Sequence, residues 1–131
     1  MTKARILVVD DDPDIRIMLS TVLQAEGYGV ITAKDGVECL ELVREMRPDL
    51  LILDLLMPRK DGFAVVRELR EDAEYAALPI LILTAVPEEA SRRRYELEVG
   101  VAMDVQDYVV KRIRPPELLR RVEKLLKASG R

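Results

Sequence analysis

The sequence predicts an α/β fold of three layers: a doubly wound, parallel, five-stranded sheet with helices on both faces. Three observations carry this reading. Short segments are apolar at every position (Ile6-Leu7-Val8-Val9, Leu50-Leu51-Ile52-Leu53, Ile80-Leu81-Ile82-Leu83), as strands buried on both faces are. Amphipathic helical patterns alternate with them. The 131 residues suit one domain, at roughly 150 residues per domain.

Ala4 to Asp10 is the first strand. Asp12-Pro13 then combines a helix N-cap with a proline at the first helical position. Ile15, Met18, Leu19, Val22 and Leu23 lie on one helical face, and Gly27 closes the helix. Gly29 to Ala33 is the second strand. Asp35 and Glu38 form a capping-box pattern for a helix to about Met46, which Pro48 stops. Leu50 to Asp54 is the third strand, and Asp61-Gly62 opens a helix to about Glu71. Pro79 to Thr84 is the fourth strand, Pro87 begins a charged helix ending near Gly100, and Asp107 to Lys111 is the fifth strand. Pro115-Pro116 starts a last helix with Leu118, Leu119, Val122, Leu125 and Leu126 on one face. Right-handed crossovers then leave few topologies.

Composition narrows the function. With 49% hydrophobic and 34% charged residues, the chain is a folded globular protein. Its apolar runs of four residues or so are far short of the ~20 a membrane span needs. The start, Met1-Thr2-Lys3-Ala4-Arg5, leads into only four apolar residues before Asp10, too few for a signal peptide, so a cytoplasmic location is expected. Histidine is absent, which removes Ser-His-Asp and Cys-His sites, His-ligated zinc and any phosphohistidine within the chain. The lone cysteine, Cys39, reads as a small core residue. A net charge of −3 argues against direct nucleic-acid binding, which favours a basic excess. The first 66 residues hold eight bases against twelve acids, and those acids cluster.

In a parallel sheet the ligand crevice lies beyond the carboxyl ends of the strands. Strand one ends in Asp10-Asp11-Asp12, strand three in Asp54, strand four in Thr84, strand five in Lys111. Carboxylates gathered in one crevice repel one another and need a cation. An all-oxygen, histidine-free set suits Mg²⁺ before Zn²⁺. A lysine and a hydroxyl opposite can serve phosphoryl oxygens. The rim therefore reads as a phosphoryl-transfer site with Asp54 as nucleophile. An EF-hand is a poor fit, because Ile15 and Thr21 stand where its glycine and glutamate belong.

Four segments in order, Ile6-Leu7-Val8-Val9-Asp10-Asp11, Leu51-Ile52-Leu53-Asp54-Leu55-Leu56-Met57-Pro58 with Asp61-Gly62, Ile82-Leu83-Thr84-Ala85 and Tyr108-Val109-Val110-Lys111, resemble the receiver domain of bacterial two-component response regulators, single-domain and chemotaxis-regulator-like. The match covers about residues 4 to 127. The resemblance implies a flavodoxin-like fold in which Asp54 accepts phosphate from a phosphohistidine on a sensor histidine kinase or histidine phosphotransfer protein. It implies Mg²⁺, with Mn²⁺ as the alternative, held by Asp11, Asp54 and the Leu56 backbone carbonyl, with Asp10 helping directly or through water. Lys111 would pair with the phosphoryl group. Thr84 would move to hydrogen-bond it, and Tyr108 would follow from an outward to an inward rotamer. The chain would then catalyse its own phosphorylation without being a turnover enzyme, and signal to a downstream protein as a monomer or phosphorylation-dependent dimer. Only four residues follow Lys127, so no output domain is expected; a receiver fragment of a longer regulator is the alternative.

Three departures from the family pattern set further expectations. Arg112 follows Lys111 where the family commonly has a proline after a cis bond. A cis bond to a non-proline residue costs about 2.5–4 kcal/mol, so a trans bond or local strain is expected, with Lys111 drawn from its usual reach. The stretch from Gly100 to Tyr108 is longer than usual, and Val101 to Gln106 is expected to give the output face a nonstandard partner surface. Leu56 and Val86, which flank the phosphoryl site in the family, cannot orient a water, so self-dephosphorylation is expected to be slow. The Arg92-Arg93-Arg94 run reads as a solvated helix face. A competing function is a phosphorylation-independent interaction module. A phosphatase of the haloacid dehalogenase type wants an acid where Leu56 stands, and neither G-x-x-x-x-G-K-[ST] nor G-x-G-x-x-G occurs.

Overall fold

The computed structural model describes residues 3–130. Met1, Thr2 and Arg131, which enter the reading of the chain's two ends, lie outside the described residues. Strands β1 (Arg5–Val9), β2 (Gly29–Ala33), β3 (Leu50–Leu53), β4 (Ile80–Thr84) and β5 (Asp107–Val110) alternate with helices α1 (Pro13–Ala25), α2 (Gly36–Met46), α3 (Gly62–Glu71), α4 (Glu88–Val99) and α5 (Pro115–Ala128). The sheet is parallel throughout, in the order β2-β1-β3-β4-β5. The expected elements are all present, with boundaries shifted by a residue or two.

The continuous apolar strands separate two cores, because successive side chains point to opposite faces. Leu7, Val9, Leu51, Leu53, Ile80 and Ile82 face α2, α3 and α4. Ile6, Val8, Leu50, Ile52, Leu81 and Leu83 face α1 and α5. Cys39 is fully buried in the first core, and burial pushes its thiol up to about 12. Among the described residues, no helix is long and apolar enough to cross a membrane.

Helix starts follow the sequence signals. Asp12, Asp35 and Asp61 are N-caps whose side chains accept from the backbone N–H of Asp14, Glu38 and Ala64. At α2 the reciprocal bond is shifted by one residue: the Glu38 carboxylate accepts from the N–H of Lys34, not of Asp35. The arginine run on α4 is only partly a solvated face. Arg93 pairs with Glu89, but Arg92 donates to the Met103 carbonyl at 3.0 Å. Arg94 covers the Phe63 ring at 4.1 Å and pairs with Asp61.

The turn after β3 leaves no room for a side chain at Gly62. A Cβ on Gly62 would lie 2.3 Å from the carbonyl oxygen of Asp54 and 2.7 Å from Cα of Leu55. Both are backbone atoms, so no side chain can yield. Gly62→Ala is expected to lower stability by about 1–3 kcal/mol, as overpacking does, read as a lower midpoint in urea at unchanged slope.

Candidate functional site

Register builds the rim. Val9 lies opposite Leu53 in the β1·β3 ladder, so the next residue of each strand, Asp10 and Asp54, leaves the sheet side by side. The Asp54 N–H still donates to the Val9 carbonyl at 3.0 Å. Likewise Thr84 lies opposite Val110, and the next residue, Lys111, donates its N–H to the Thr84 carbonyl at 2.7 Å. Acids, hydroxyl and ammonium thus reach one edge by continuation of neighbouring strands.

Asp10, Asp11 and Asp54 offer carboxylate oxygens that all lie within 4.8 Å of one another, Asp11 being the exposed member. Asp10 and Asp54 are 2% and 5% exposed, and so lack the water that would screen them. The Lys111 ammonium lies between them, 2.8 Å from Asp10 Oδ2 and 3.3 Å from Asp54 Oδ2. Burial lowers the lysine's pKa, but the hydrogen bond to Asp10 and the charges of Asp54 and Asp10 outweigh it, so the net shift is upward. Asp10 Oδ1 accepts the N–H of Asp12 at 2.9 Å, and Asp54 Oδ1 accepts that of Leu56 at 3.3 Å. Three carboxylates against one ammonium leave the rim short of positive charge. The donors are hard oxygens, so the set fits Mg²⁺ or Mn²⁺.

The Lys111–Arg112 peptide is cis: of the two expectations, a trans bond or local strain, the first is overturned, and Lys111 is not drawn away from the rim. In the fold the Lys111 N–H is bonded to the Thr84 carbonyl and its ammonium to Asp10 and Asp54, so the lysine keeps its reach to the rim.

Thr84 Oγ1 is buried with no hydrogen-bond partner. Tyr108, opposite Ile82 on the neighbouring strand, is turned inward. Its hydroxyl donates to the Val86 carbonyl at 2.7 Å and accepts from Ser91 Oγ at 2.6 Å. Burial pushes this phenol up against the lowering effect of the Ser91 bond. The sequence reading missed Ser91. Its signal was there: Ser91 and Tyr95 are an i,i+4 pair on a heavily charged helix, and both face inward.

The longer segment before β5 is a strap as well as a surface. Met103 is buried in the core beneath α3 and α4. Arg70 of α3 donates to the Asp104 carbonyl and to Gln106 Oε1, while Val101 and Ala102 remain exposed. A groove of about 590 Å³ is lined by residues including Lys3, Tyr28, Glu123 and Lys127. It borders the start of β1 and the end of α5, away from the acidic rim.

Residues 6–123 match the response regulator receiver domain family. The probable transcriptional regulator ycf27 of Guillardia theta is 40% identical over 130 residues, covering 99% of this chain and 48% of that protein. The DNA-binding response regulator MtrA of Mycolicibacterium smegmatis is 41% identical over 127 residues, 97% of this chain and 52% of that protein. The chain spans about half the length of these curated relatives. Among solved structures, the chemotaxis protein CheY4 of Vibrio cholerae superposes with a TM-score of 0.81 at 35% identity, covering 95% of this chain and 99% of that one. The response regulator TrrA of Thermotoga maritima, in complex with Mg(2+)-BeF, gives a TM-score of 0.78 at 37% identity, covering 94% and 99%. The chain belongs to the response regulator receiver domain family of two-component systems, and its fold is the flavodoxin-like receiver fold.

The hydroxyl pair makes one prediction. Tyr108→Phe strands a buried Ser91 hydroxyl, and Ser91→Ala removes one partner of the phenol. A double-mutant cycle in chemical denaturation is expected to give a coupling of about 1 kcal/mol between them.

Proposed function

We propose that this receiver accepts a phosphoryl group on Asp54, in a reaction that needs a divalent cation, and signals through protein contacts. The observation that carries the reading is the rim itself: Asp10, Asp11 and Asp54 clustered, Lys111 on two of them, and the partnerless hydroxyl of Thr84 alongside. Asp11 and Asp54, the Leu56 carbonyl and Asp10 would hold the cation, Mg²⁺ first and Mn²⁺ second. Bound there, it supplies positive charge that lets carboxylate and phosphoryl oxygens approach.

An Asp54 oxygen forms the new P–O bond as the donor's P–N bond breaks, and the histidine nitrogen keeps the electron pair. The chain has no histidine, so the donor is a phosphohistidine on a sensor kinase or phosphotransfer protein, or a small phosphodonor. Lys111 neutralises the charge of the transferring group, at the cost of its present hold on Asp54. Thr84 donates its hydroxyl to a phosphoryl oxygen. Tyr108 carries the change to α4 through Val86 and Ser91. Mild acidity supports a protein partner over direct binding of nucleic acid, and membership of the receiver family supports a cytoplasmic site of action.

One observation favours a second reading. Tyr108 is already inward and doubly hydrogen-bonded, as it would be in a module that docks its partner without phosphorylation. Intact-protein mass spectrometry after acetyl phosphate and Mg²⁺ separates the two. One phosphoryl group is expected on the wild type and none on Asp54→Asn; no adduct on the wild type would leave the second reading standing.

Dephosphorylation is expected to be slow. Leu56 and Val86 offer no polar side chain to orient an attacking water. Loss of phosphate from the purified protein, followed after donor removal, should run over minutes or longer; a lifetime of seconds contradicts this.

A further inference from the structure

The loop from Leu55 to Asp61 carries the Leu56 carbonyl and joins β3 to α3. Most of its fastenings are ordinary: the Gly62 N–H on the Leu55 carbonyl and the Gly36 N–H on the Lys60 carbonyl, each at 2.9 Å, the Leu56 N–H on Asp54 Oδ1, Lys60 on Glu68 and Arg94 on Asp61. One is not. Arg59 has φ 66°, a left-handed conformation that glycine adopts freely and an L side chain resists. Its guanidinium meets Asp35 at two points, Nε to Oδ2 at 2.9 Å and Nη2 to Oδ1 at 3.3 Å.

Arg59 helps to neutralise Asp35, whose side chain is 3% exposed against 59% for the arginine, but any cation would serve for that, so neutralisation does not account for an arginine at a left-handed position. Geometry does account for it. A two-point fork fixes direction as well as distance, and its target cannot swing. Asp35 is 3% exposed and is itself pinned as the N-cap of α2, with Oδ1 accepting the Glu38 N–H at 2.9 Å.

We infer that the Arg59–Asp35 fork is a positioning device for the divalent-cation site: it holds the loop that carries the Leu56 carbonyl against α2, next to the Asp10, Asp11 and Asp54 rim that would hold the ion. The inference rests on the proposed cation site. Neither residue touches the ion; each acts through the loop backbone.

Calorimetric titration with MgCl₂ alone, without phosphodonor, tests it on the full chain. The variants are Arg59→Gly, which removes the fork and suits the φ angle, Asp35→Asn, which keeps an N-cap acceptor, Arg59→Lys, and the first two combined. Thermal midpoints are measured in parallel. Arg59→Gly and Asp35→Asn are each expected to weaken Mg²⁺ binding by about tenfold, the low end of what losing a partner that orients a metal ligand costs. The double variant should be no weaker than the worse single, and Arg59→Lys should recover part of the affinity. The midpoint of Arg59→Gly should change little, because the glycine relieves the backbone while Asp35, though it loses its cation, keeps the Glu38 N–H. If the wild type binds Mg²⁺ and both single variants bind within about twofold of it, the inference fails and the cation site stands. If the wild type binds no Mg²⁺, both fall together.

Discussion

The arrangement turns on the repulsion among Asp10, Asp11 and Asp54. Two of these carboxylates are almost wholly buried, where charge is costly unless paired. Their strands cannot separate them, because β1 and β3 are hydrogen-bonded neighbours whose ladder runs up to the acids themselves. The apolar sheet thus dictates an acidic edge, and the edge must be neutralised from outside the sheet's own logic. Lys111 does part of this, and β5 reaches the site only because β4 stands between it and β3. On the proposed reading, the cation and the phosphoryl group complete the balance, and the lysine changes partner as they do.

That exchange can be felt at a distance. Thr84 ends β4, Val86 follows in the next loop and Ser91 lies in the first turns of α4. Tyr108 from β5 is bonded to the last two. A shift of the β4–α4 loop toward Asp54 would therefore move both partners of one phenol. Arg94 adds a second link, since it joins α4 to the Asp61 cap of α3 and covers Phe63. Helix α4 is thus tied to two of the loops that border the acidic rim, while its outer side is largely charged.

The fold was legible because strand burial and helix caps are local signals. Asp12, Asp35 and Asp61 cap where the sequence says they should, and the alternation of each strand assigns its residues to two cores. The site was legible where it depends on strand ends, which a parallel sheet brings to one edge. What escaped the sequence depends on contacts across space. Lys111 keeps its ammonium on Asp10 and Asp54 although no proline follows it. Met103 turns an apparent surface insertion into a strap because Arg70 and Arg92, distant in sequence, hold its flanks. The Arg59–Asp35 fork joins residues whose pairing no spacing rule suggests.

Thr84 illustrates why a lone polar residue in an apolar strand is informative. Its neighbours on β4 are all buried aliphatics, and valine would fill the same space without a hydroxyl. A buried hydroxyl without a partner costs about 1–3 kcal/mol, a sizeable share of a domain's net stability of roughly 5–15 kcal/mol. On the proposed reading, a phosphoryl oxygen on Asp54 would give this hydroxyl a charged acceptor, and hydrogen bonds to charged groups are the stronger kind. The same atom would then destabilise the unphosphorylated state and stabilise the phosphorylated one. A difference of that form, rather than any contact present in a single state, is what would let a small chemical change at Asp54 move a helix.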